Sequence, residues 1–91
     1  MKVTETILEK LIPYARDPRK NSGAVDAVAG SIKEFGFRVP IVVDADFTII
    51  AGHTRYEASK KLGLVKVPVH IAEGLSEQQV KAFRLADNRV A

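Results

Sequence analysis

The run IIAGHTRYEASKKLG, residues 49–63, decides how the chain is read. Ile49 and Ile50 belong to a β-branched apolar stretch, and such residues fit a pleated, buried surface. The pattern breaks at Gly52. From about Arg55 to Leu62 the residues take helical spacing, and Gly63 supplies the left-handed conformation on which helices commonly end. A strand therefore turns almost directly into a helix, with His53, Thr54 and Arg55 on the hinge. Thr54 followed three residues later by Glu57 matches a capping box, in which each side chain satisfies a backbone N–H at the helix start. The same N–H groups, with the positive end of the helix dipole, make such a hinge a natural seat for an anion. Arg55 shares a helical face with Ala58, Ser59 and Leu62, the side expected to turn inward. A guanidinium there needs either a carboxylate or a phosphate to meet its fork. Gly52 lets a ligand approach the backbone closely.

Working outward, PIVVDADFTIIAG (residues 40–52) carries two β-branched runs, Ile41 to Val43 and Phe47 to Ile50, joined by Asp44-Ala45-Asp46 as a short hairpin loop. Upstream, AVDAVAGSIKEFG (24–36) places Val25, Val28, Ile32 and Phe35 on one stripe of an amphipathic helix that stops at Gly36 and is expected to pack on the sheet. Before it, Ile7, Leu8, Leu11 and Ile12 read as a strand, followed by a long loop punctuated by Pro13, Pro18, Asn21 and Gly23. Downstream, KVPVHI (66–71) reads as a short strand whose Pro68 suits a strand start or a sheet edge. Ser76 and Gln79 form a second capping box, opening a helix that carries no stop signal before Ala91. The order is strand, loop, helix, strand, strand, helix, strand, helix, a small α/β or α+β domain without repeats.

Ninety-one residues fit a single small domain, and 46% hydrophobic with 27% charged residues is an ordinary globular composition. Cysteine is absent, which excludes disulfides, thiolate nucleophiles and Cys-ligated zinc, and fits a reducing cytoplasm. No apolar run approaches the ~20 residues that span a bilayer, and no signal-peptide core is present, so no membrane partner is expected. The formal charge of +3 leans toward anionic partners. A last helix still running at Ala91 makes residues 1–91 read as one N-terminal domain of a longer chain.

Two further polar clusters stand out. YARDPRKN (14–21) brings Arg16, Arg19 and Lys20 into a loop long enough to carry a site. In VKAFRLADNRVA (80–91), Val80, Phe83 and Val90 share a stripe on which Asp87 also falls. An acid there either pairs with a base such as Arg55 or, with Asn88, offers oxygen ligands to Mg²⁺. His53 can hydrogen-bond a phosphate, while His70 reads as a surface residue; two histidines in such different settings do not make a zinc site.

Taken together, DPRK, SIKEFGFRVPIVV, IIAGHTRYEASKKLGLVKVPVHI and LADNRVA resemble, in content and order, the N-terminal domain of ParB-type chromosome and plasmid partition proteins. The resemblance runs from about Ile7 to Ala91. It implies an α+β fold shared with sulfiredoxin, a small mixed sheet flanked by helices, with a nucleoside-triphosphate pocket. It implies further that Pro18, Arg19 and Lys20, with Gly52 and Arg55, hold the phosphates of a nucleotide (CTP or ATP), and that Asp87 and Asn88 hold Mg²⁺. His53-Thr54 stands where the partition proteins carry Glu-Arg, which leaves the nucleotide open. Sulfiredoxin has its catalytic cysteine near the position of His53, so its reductase chemistry is excluded here. Relatives with a hinge like AGHTRYEA are similar to modules of phage or prophage settings joined to DNA methyltransferases.

The leading expectation is a nucleotide-binding domain of a DNA-associated protein, with Thr54 donating to the phosphates, Arg55 clamping them and Arg19 and Lys20 closing from the loop. Two alternatives stay open. One is a phosphoryl-transfer enzyme, an NTPase, nuclease or small-molecule kinase, with His53 as its base. The other is a DNA-binding or dimerising module, self-associating as a homodimer, with an empty pocket.

Overall fold

Short β-branched runs with little polar surface need cover on both faces, and the fold supplies it. A computed structural model describes residues 2–14 and 22–90, with Ser22 and residues 88–90 described by backbone alone. Strand β1 (Thr4–Ile7) is followed by a 3-10 turn (Leu8–Lys10), helix α1 (Ser22–Phe35), β2 (Ile41–Val43), β3 (Ile49–Ala51), α2 (His53–Leu62), β4 (Lys66–Ile71) and α3 (Glu77–Val90). The four strands form one mixed sheet in the order β1-β4-β2-β3. β1 and β4 run antiparallel with Thr4 opposite Val69, β4 and β2 run parallel with Ile41 opposite Val69, and β2 and β3 run antiparallel with Val42 opposite Ala51. This is an α+β domain.

Ile41, Val43, Ile49, Val67 and Val69 are fully buried and pack with Leu8 and Leu11; Tyr56 of α2 packs against this group. Val42, Ile50 and Ala51 form a second group, closed by Val80 of α3. The sheet thus lies between α2 and α3. Fully burying a Val or Ile side chain contributes about 1.5–3 kcal/mol, so these few strand residues supply most of the core's stabilisation.

Several sequence expectations change. The first run divides after Ile7: β1 ends there, and Leu8 and Leu11, three residues apart, fall on one side of a 3-10 turn and are both buried. Ile12 instead makes an isolated parallel bridge to Thr48, so this segment covers part of the β3 edge. The hairpin forms with a tighter turn, because Asp44 Oδ1 accepts from the N–H groups of Asp46 and Thr48, and Phe47 takes φ 66°. Its second strand therefore starts at Ile49 rather than Phe47. α1 packs chiefly against α2 rather than on the sheet. Phe35, at the end of the α1 stripe, is accordingly 60% exposed. β4 lies inside the sheet rather than at its edge, but Pro68 precedes the parallel ladder, which begins at Val69, so its missing N–H falls outside that ladder. The Ser76–Gln79 capping box forms reciprocally, Ser76 N–H to Gln79 Oε1 at 2.9 Å and Gln79 N–H to Ser76 Oγ at 3.1 Å.

Candidate functional site

The hinge is tighter than a capped helix. α2 begins at His53, two residues earlier than its spacing indicates, because Gly52 itself is the N-cap with φ 100° and ψ 28°. No side chain caps the first turn, so the Thr54–Glu57 capping box does not form. The left-handed Gly52 carries the chain into the helix before Thr54, which places Thr54 within the first turn, past the position from which a side chain can cap. Glu57 instead lies 3.8 Å from Lys60 on the exposed side. The first-turn N–H groups of an α-helix have no partner within the helix, and the N-cap here, Gly52, has no side chain to offer them.

Arg55 folds back over this turn. A Cβ placed on Gly52 would lie 3.3 Å from Arg55 Nη1 and 3.3 Å from the Cα of Ile41, so the guanidinium rests against the glycine while the buried β2 strand closes in from beneath. Arg55 is half-buried and Ala58 and Ser59 are fully buried, which agrees with the inward face read from the sequence. Ser59 satisfies its own hydroxyl on the Arg55 carbonyl at 2.7 Å.

Asp87 arrives from α3. Its Oδ2 accepts the Gly52 N–H at 3.2 Å, so the acid on an apolar stripe is bonded to the hinge backbone rather than to Arg55. The carboxylate and the guanidinium therefore meet at the same glycine without pairing with each other. Among the described residues no group of three or more His, Asp or Glu side chains is placed to hold a metal ion. His53 points its Nε2 at the Tyr14 N–H, 3.4 Å away. A neutral imidazole that accepts at Nε2 carries its proton on Nδ1. His70 is half-buried, with Nδ1 2.9 Å from the Lys2 carbonyl oxygen, away from the hinge.

The structure thus brings Gly52, His53, Thr54, Arg55 and Asp87 to one place. Pro18, Arg19 and Lys20 lie outside the described residues, as does the side chain of Asn88. Arg84 is the residue the sequence reading missed. It is 9% exposed, whereas Phe83, assigned to the core stripe, is 39% exposed. Arg84 Nη2 donates to the Ile49 carbonyl at 3.0 Å, and its guanidinium lies 3.8 Å above the Tyr14 ring. The available signal was its place one turn before Asp87, since residues three apart share a helix face.

The model of the ParB N-terminal domain matches residues 1–89. A ParB-like nuclease domain-containing protein of Escherichia coli, YnaK, is 38% identical over 80 residues, covering 87% of this chain and 92% of that protein. A probable chromosome-partitioning protein ParB of Campylobacter jejuni is 36% identical over 86 residues, covering 89% of this chain but 31% of that protein. The chain thus spans nearly the whole of the first relative and about a third of the second. Among solved structures, a C-terminally truncated ParB from Caulobacter crescentus complexed with CTP-γ-S superposes with a TM-score of 0.81 at 26% identity, over 100% of this chain and 54% of that one. Sulfiredoxin from Arabidopsis thaliana superposes with a TM-score of 0.74 at 29% identity, over 91% of this chain and 97% of that one.

Proposed function

The chain belongs to the ParB N-terminal domain family, and from that premise we propose that it is a nucleoside-triphosphate-binding domain of a DNA-associated protein, acting in DNA partition or DNA modification. The phosphates sit at the Gly52–Arg55 hinge. The observation that carries this reading is the α2 start on the left-handed Gly52, with the Arg55 guanidinium folded over that glycine. Backbone N–H groups and a positive dipole end attract an oxyanion, and an arginine beside them adds a planar pair of donors that matches phosphate. In this reading Thr54 donates its hydroxyl from the first turn, and Arg19 and Lys20 approach from the loop.

Asp87, with Asn88, would hold a hydrated Mg²⁺, since Mg²⁺ commonly keeps several waters and takes only one or two protein oxygens. The ion would offset phosphate charge; the protein's own part is to orient Asp87 through the Gly52 N–H. The C. crescentus ParB with bound CTP-γ-S supports a cytidine nucleotide as the first ligand to test, and the same protein complexed to the centromeric parS site supports DNA as a partner of the longer protein.

A phosphoryl-transfer or nuclease reading requires His53 to accept a proton. Nε2 already accepts the Tyr14 N–H, which favours binding over base chemistry at this ring. A thermal-shift panel of CTP, ATP, GTP and S-adenosylmethionine, with and without Mg²⁺, tests the function. A ligand of the folded state raises the melting temperature, by an amount set by RT ln(1 + [L]/Kd). A rise with a triphosphate is expected; silence across the panel supports the empty-pocket alternative.

A further inference from the structure

Arg84 is a buried cation. Among the described residues no carboxylate pairs with it, and its buried Nε has no hydrogen-bond partner. A buried charge left this incompletely satisfied costs more than an apolar side chain of similar volume in the same place. Its contacts lead toward the hinge. The guanidinium donates to the Ile49 carbonyl, at the start of β3, and stacks on Tyr14; the Tyr14 N–H in turn donates to His53 Nε2, at the first position of α2. One turn further along α3, Asp87 accepts from Gly52 at the other end of the same strand. Two residues on one face of α3 therefore fasten the beginning of β3 and the hinge that follows it.

Resting on the nucleotide-binding reading above, we propose that Arg84 is a positioning residue for that site, fixing the orientation and tautomer of the His53 ring through Tyr14. The planar guanidinium presses on the Tyr14 ring, which holds the Tyr14 backbone N–H on Nε2 and so keeps the His53 proton on Nδ1. Lysine keeps the charge but lacks the planar fork that stacks on an aromatic face. Phenylalanine at position 14 keeps the face and leucine removes it.

The test uses the 91-residue protein labelled with ¹⁵N and the variants Arg84→Lys, Tyr14→Phe and Tyr14→Leu, each checked for folding by its thermal melt. Three quantities are measured: hydrogen exchange at the Tyr14 amide, the ring ¹⁵N shifts of His53, and the Kd for the Mg²⁺ triphosphate that stabilises the wild type. Tyr14→Phe is expected to match the wild type. Folded Arg84→Lys and Tyr14→Leu are expected to lose Tyr14 amide protection, to change the His53 ring shifts, and to bind about tenfold more weakly, with no further loss when combined. Unchanged exchange and ring shifts in a folded Arg84→Lys that still responds to nucleotide overturns this inference alone, as do losses that add in the double variant. A wild type that binds no triphosphate overturns the nucleotide reading and the positioning role together, while the ring shifts still report whether Arg84 holds His53.

Discussion

Gly52 is where the chain's conformational freedom matters most. Its φ of 100° is strained for any side chain, and Ile41 Cα, 3.3 Å from a Cβ built there, would have to give way. Gly52→Ala is therefore expected to destabilise the fold by about 1–3 kcal/mol, the cost of a non-glycine residue held in such a region; urea midpoints of the two proteins measure it. A variant as stable as the wild type would mean that the hinge relaxes. At this scale the sequence was half legible. Arg55 on an inward face followed from helical spacing, and so did Asp87 on the inner stripe of α3. That Asp87 meets a backbone N–H rather than a guanidinium depended on the distance between two helices on opposite sides of a sheet, which no local pattern records. Arg84 was hidden for a similar reason: a basic residue reads as solvent-exposed until a tyrosine ring and a carbonyl from distant segments are brought over it.

The elements were legible where their signals were local. The Ser76–Gln79 box was read correctly because both partners lie within one turn, and Ser76→Ala is expected to cost about 1 kcal/mol. Thr54 followed by Glu57 carries the same signature but does not cap, because Gly52 starts the helix before it. Thr54→Ala should therefore change stability by less than about 0.5 kcal/mol, the range of substitutions away from caps and core. Equal losses in the two variants, measured by chemical denaturation, would contradict this assignment of the α2 start. The packing of α1 was misread for a related reason. An apolar stripe reports that a face is covered, and here the cover is chiefly a second helix.

At the scale of the molecule, the sheet and the hinge share their foundation. Ile41 is fully buried in the core and also lies directly beneath Gly52. Ile41→Ala is expected to cost about 2–5 kcal/mol and to weaken nucleotide binding in the fraction that stays folded; melting and titration together separate the two effects. The family resemblance read the mixed sheet and its helices correctly, because the order of short runs and glycine stops is a long-range pattern in itself. Among the described residues no helix is long and apolar enough to cross a membrane. Isothermal titration of the Mg²⁺ complexes of CTP and ATP into the wild type and Arg55→Ala reads out what the hinge holds. Saturable binding of a triphosphate is expected for the wild type and none for Arg55→Ala, with the variant's melting temperature close to the wild type's. Unchanged affinity in a folded Arg55→Ala would contradict it.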